Sequence, residues 1–174
     1  PVLADVVDIP ADRDATLIED ASGALANGSG PSVFVGTTGQ TVGGIRRALL
    51  HFDVAAAIPE NALIDNATLT LHLNKGNSGG TVVTLHRALD DWGEGGSSSN
   101  GGSGAPAQPD DATWLHTFHD YDYWVKAGGH FVPHASATQS VSSNGFYSWQ
   151  DTVHLANDVR LWHRAPGHNY GWLL

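Results

Sequence analysis

Ala67-Thr68-Leu69-Thr70-Leu71-His72-Leu73-Asn74 decides the fold class. Apolar and polar residues alternate strictly across it, and a period of two puts successive side chains on opposite faces of a strand that is buried on one side and wet on the other. Thr81 to Ala88 repeats the pattern, with Val83 and Leu85 inward and Thr84 and His86 outward. The connection Lys75-Gly76-Asn77-Ser78-Gly79-Gly80 supplies glycines that permit positive φ, so the two segments read as an antiparallel hairpin with His72 and His86 neighbours on its outer face.

Upstream, Ile45 to Val54 places Ala48, Leu50, Phe52 and Val54 on a core face and Ile45, Arg47, Leu49 and His51 on the opposite one. Ser32 to Gly36 has the pattern of a strand covered on both sides. Residues 4 to 9 and 15 to 19 are short β-type runs separated by Pro10 and a charged turn. Downstream, Ala135 to Val141 and Gly145 to Trp149 read as a second hairpin around Ser142-Ser143-Asn144-Gly145. Asp151 reads as the N-cap of one helix, Thr152 to His163, with Leu155, Ala156, Val159 and Trp162 on one face and Pro166-Gly167 as its stop. Tyr170 to Leu174 is a final apolar strand. These signals predict a single domain, an all-β antiparallel sandwich of jelly-roll type with one short helix near the C-terminal end.

The chain divides into an extended N-terminal segment, residues 1–10, and the sandwich, residues 11–174, interrupted by a Gly/Ser-rich loop over 95–109. The net charge of -10, from 8 Lys+Arg against 18 Asp+Glu, rules out a basic nucleic-acid footprint and makes an anionic membrane surface repulsive. No apolar run reaches the roughly 18 residues of a spanning helix. Without a single cysteine, neither disulfides nor thiol chemistry enters the function. Acidity, abundant Gly, Ser and Thr, and Pro1-Val2-Leu3-Ala4 as a terminus of the kind processing exposes all suit an exported, extracellular or cell-surface protein.

Catalytic signatures are missing. No Gly-x-Ser-x-Gly or His-Glu-x-x-His pattern occurs, and the serines of the 95–109 tract have no rigid element to hold a nucleophile. The expectation is a protein that is not an enzyme. Candidate binding residues fall in three groups. Asp91, Glu94 and Asp111, beside Trp92 and Trp114, bracket the loop; carboxylates there either share calcium or cap a short helix at Ala112. Tyr121, Tyr123 and Trp124, interleaved with Asp122, make a platform on which sugar rings can stack. Ten histidines include His116 with His119, His130 with His134, and His163 with His168, spacings open to a transition metal or to solvated strand faces. Asn27 and Asn66 fit the N-glycosylation pattern.

Five runs, Arg47 to Asp53, Ala67 to Leu73, Leu85 to Gly95, Asp111 to Trp114 and Asn169 to Leu174, together resemble the DNRLRE, or disaggregatase-related, domain of secreted prokaryotic proteins. The resemblance spans most of the chain from Arg13. It implies an extracellular jelly-roll-like sandwich without catalytic residues, related to modules that bind acidic polysaccharides. Domains of this family usually continue past the Gly-Trp-Leu-Leu strand into one more alternating strand. The resemblance therefore implies either a chain cut short or a sandwich whose open edge is filled otherwise.

Two functions follow as expectations: a structural subunit joining copies of itself head to tail by strand addition, or a carbohydrate-binding module for an extracellular polysaccharide. In the first, the donor is Val2, Leu3, Ala4, Asp5, Val6, Val7, Asp8 and Ile9, β-prone and followed by a Pro10 hinge. The same segment read as an ordinary first strand pairs within its own domain.

Overall fold

The computed structural model describes residues 5–76 and 79–174. Among them the chain forms twelve strands: β1 (Arg13–Ile18), β2 (Leu25–Asn27), β3 (Gly36–Thr37), β4 (Ile45–His51), β5 (Leu69–Leu73), β6 (Thr81–Arg87), β7 (Ala105–Pro106), β8 (His116–Phe118), β9 (Asp122–Tyr123), β10 (Ala137–Val141), β11 (Gly145–Trp149) and β12 (Trp172–Leu173). Two helices join them, the single turn α1 (Val54–Ala57) and α2 (Val153–Arg164), with a 3-10 turn at Pro166–His168. The strand pairings are antiparallel, as the alternation predicted.

One large sheet runs β10-β6-β12-β4-β1-β2-β7, with β3 beside β4. Among the described residues a second layer contains only β11 and β5. Both predicted hairpins are therefore something else. β5 pairs with β11, and β6 pairs with β10 and β12, so each connection is an arch that carries the chain from one layer to the other. Alternation does not distinguish the two cases, because it fixes only which side of a strand is apolar. In an arch the two apolar sides face each other across the core, about 10 Å apart. Leu69 and Trp149 meet Leu85 and Ala137 in that way, and the Trp149 indole donates across the layers to the Val83 carbonyl at 3.0 Å. His72 and His86 consequently lie in different layers, His72 against Phe146 and His86 against Phe131.

The centre of the large sheet is buried on both faces. Ala48, Leu50, Phe52 and Val54 point into the core beneath β5, β11 and α2, as expected, together with Trp162, Trp172 and Leu174. Leu49, predicted to face outward, is equally buried. With Ala15, Leu17 and Leu173 it forms a second cluster under Trp92, Ala112 and Trp124, which the excursion between β6 and β10 folds back over the sheet.

Four local expectations shift. Ser32 to Gly36 is not a covered strand: only Gly36–Thr37 pairs, and Val35 is exposed. The N-cap of α2 is Thr152, whose side chain accepts from the Leu155 amide, while Asp151 accepts from the Ala67 amide and prolongs the β5–β11 contact. The 95–109 tract is tied down, with β7 paired to β2 and Ser97 fully buried. Of the N-terminal segment, Val2, Leu3 and Ala4 lie outside the described residues, and Asp5 to Asp12 form no strand.

Candidate functional site

The carboxylates at the loop base do three separate jobs. Asp111 is fully buried; one oxygen accepts from the Ser97 amide (3.2 Å) and the other from the Gln108 amide (2.6 Å), which closes the Gly/Ser tract on itself. The backbone crowds this carboxylate. A Cβ at Gly28 or Gly95 would stand 2.7 or 2.1 Å from Asp111 Oδ1, so both positions exclude larger residues. Asp91 turns away to Arg13 at 3.0 Å. The Arg13 guanidinium in turn lies 4.5 Å over the Trp92 ring and donates to the Trp92 carbonyl. Glu94 lies near Asp14. Burial first, and the Asp14 charge second, push its carboxyl above the ordinary value, and burial alone does the same to Asp14. Among the described residues no three His, Asp or Glu side chains gather as a metal-holding group; Asp91 and Asp111 instead have the separate partners given above.

The aromatic platform is only partly as predicted. Trp124 is 6% exposed, belongs to the second core cluster, and donates its indole N–H to the Thr113 carbonyl at 2.9 Å. It turns inward because the β8–β9 hairpin needs an apolar anchor on the sheet. Tyr121 and Tyr123 remain outside. Tyr121 stacks on Phe118, with ring centres 6.0 Å apart, and donates to Asp110 at 2.5 Å, a bond that holds its phenol protonated above the usual range. Tyr123 lies 4.4 Å from the His116 ring. The result is an exposed ledge with Tyr121, Tyr123, Asp120 and Asp122 on its rim.

The histidine pairs are re-sorted. His116 and His119 are adjacent, 5.0 Å between rings, and burial followed by the His119 charge holds His116 below the ordinary imidazole value, against a smaller upward pull from Asp120. His130 bonds Asp90 instead of meeting His134, and His134 packs on His154 at 4.2 Å. His163 bonds the Pro59 carbonyl. Of the glycosylation candidates, Asn66 is exposed, but Asn27 is buried, its amide nitrogen donating to the Ser32 carbonyl and its oxygen accepting from the Ser99 amide.

A feature invisible in the sequence is the thin second layer. Among the described residues β5 and β11 have only each other as neighbours, so each keeps one edge of unpaired backbone groups. Leu71, Tyr147, Val83 and Val141 belong to the first core but are only partly covered. Nearby, Ile9 packs on this same core, whereas Val6 and Val7 just before it are exposed, at 88% and 47%. The periodicity of β5 and β11 was readable, but which strands they would lack as neighbours was not. Set beside protein-family models and curated proteins, the chain matches none.

Proposed function

We propose that this protein is a non-catalytic structural subunit of an extracellular assembly, and that copies join head to tail by strand addition. The observation that carries the reading is the two-stranded layer. It leaves backbone donors and acceptors unpaired beside a half-covered core, while the β-prone segment ending at Ile9 pairs with nothing in its own subunit among the described residues. Exposed sheet edges are the usual place for an added strand. A strand given to the next copy makes a heterologous contact that does not close, and so grows a fibre. An extracellular location is what the resemblance to DNRLRE domains of secreted proteins implies. Deleting residues 1–9 tests it: the shortened chain should stay folded and monomeric by sedimentation and show no fibres by negative stain. Fibres from the shortened chain would overturn strand addition by this segment.

A second reading attaches to the ledge. Two exposed tyrosines flanked by carboxylates can stack on sugar rings and bond their hydroxyls. An acidic ledge suits neutral glycans. Replacing Tyr121 and Tyr123 together by Ala should abolish retardation in gels containing a neutral polysaccharide, whereas Trp124→Ala should act through stability alone. Unchanged retardation in the double variant would remove this reading.

A further inference from the structure

We propose that the acceptor is the outer edge of β5, that residues 2–8 of a second copy pair with it antiparallel, and that Asp8 of the incoming strand is held by Arg160, His163 and Arg164 of α2. This rests on the strand-addition reading above and deepens it by naming the edge, the register and the ion pair.

The cationic groups of the chain are scarce, and half of them are engaged elsewhere in its fold. Of its 8 Lys and Arg, Arg13 pairs with Asp91, Arg87 pairs with Asp158, Arg46 donates to the carbonyls of Gly43, Ile45 and Gly102, and Arg47 lies against the rings of Trp114 and Phe131. Arg160 bonds only neutral acceptors, the carbonyls of Ile64 (2.8 Å) and Asp65 (2.7 Å) and the Asn157 amide. Arg164 is exposed and, among the described residues, has no carboxylate within ion-pair distance. With His163 these two occupy one face of α2, because spacings of three and four bring helix side chains together. They line a cleft with Ala62 to Asp65, the chain leading into β5, where Asp65 is the one carboxylate. A positive cleft on a molecule of net charge -10 is complementary to another copy of that molecule.

Register then selects the residue that arrives there. Val2, Ala4 and Val6 are the apolar face of the donor, and Leu69, Leu71 and Leu73 are the core-facing side of β5. Antiparallel pairing in the sense of every other pair in this protein sets Val2 opposite Leu73, Ala4 opposite Leu71 and Val6 opposite Leu69. Asp8 then falls opposite Ala67, two residues from the Asp65 carbonyl that Arg160 holds. Asp5 faces water. Parallel pairing on the same edge would instead bring Asp8 beside Lys75, at the far end of β5, which makes the two arrangements separable by charge.

The critical concentration for polymerisation of the full chain, read by sedimentation, tests the assignment. Arg164→Glu and Asp8→Lys should each raise it about tenfold, and the double variant should return to within about twofold of the original. Arg164→Gln, which removes the charge without opposing the α2 dipole, should give a smaller rise in the same direction. Lys75→Glu should leave it unchanged. Normal polymerisation of Arg164→Glu, or a larger effect at Lys75, would overturn the edge and register while strand addition stood, provided deletion of residues 1–9 still abolished fibres. Fibres surviving that deletion, or a full chain that stays monomeric, would defeat strand addition itself and this inference with it.

Discussion

Asp14 and Glu94 show what residue-scale chemistry the fold imposes. One lies on β1 and the other at the loop base, far apart in sequence; burial raises the carboxyl of each, and the Asp14 charge raises that of Glu94 further. With both carboxyls above their unfolded values of 3.8 and 4.5, the folded chain holds these protons more tightly than the unfolded one. Their contribution therefore favours folding at pH below the unfolded values and is lost as pH rises through the raised ones. Glu94→Gln removes the charge but keeps an acceptor for the Asp14 amide. It should make the protein more stable at neutral pH, by about 0.5 kcal/mol or less because Glu94 remains partly solvated, with no difference once both carboxyls are protonated. Urea unfolding across pH checks this; a variant less stable than the parent at neutral pH would contradict it. Asp111 is the contrasting case, a carboxylate whose two oxygens are occupied by backbone amides and whose role is to hold the loop.

At the scale of elements, the arches are the feature that most changes the picture. Thr70 on β5 stands opposite Ser148 on β11, their hydroxyls 2.8 Å apart, and Thr84 on β6 stands opposite Thr138 on β10. Because the chain has no cysteine of its own, paired substitutions give a clean report. Thr70→Cys with Ser148→Cys, and Thr84→Cys with Thr138→Cys, should each form an intramolecular disulfide under mild oxidation, while Thr70→Cys with Thr84→Cys should not, since those residues belong to different layers. A hairpin would reverse the result. Helix α2 locks the arrangement: Asp158, nearly buried, accepts from Ser136 and the Trp172 indole and pairs with Arg87 at 2.9 Å, joining the helix to β6, β12 and the approach to β10.

For the whole molecule, the two core clusters make the large sheet a shared wall. Leu49 and Leu50 are adjacent on β4 and point into opposite clusters. Leu49→Ala and Leu50→Ala should each cost about 2–4 kcal/mol, in one unfolding transition for both, measured by urea titration. If Leu49 faced water, as alternation alone suggested, its replacement would cost less than about 0.5 kcal/mol. The excursion between β6 and β10 is thus a structural layer, and it leaves the β5–β11 side as the thin one.

The sequence by itself determined the local terms. Strict alternation at Ala67 to Asn74 and the inward Val83 and Leu85 of Thr81 to Ala88 made those segments strands, and the spacing of Leu155, Ala156, Val159 and Trp162 made α2 a helix with that face buried. Composition fixed the acidic surface and the absence of thiol chemistry. The tertiary structure alone decided which strands are neighbours, because hydrogen-bonded backbone is the same in every strand and carries no address. It also decided that Trp124 turns inward while Tyr121 and Tyr123 do not, since an aromatic in a polar run packs or protrudes according to the space beneath it. For the same reason the open edge of β5 and its cationic end were beyond reach of the sequence: an unpaired edge is a property of what lies beside a strand, and that is set by the path of the whole chain.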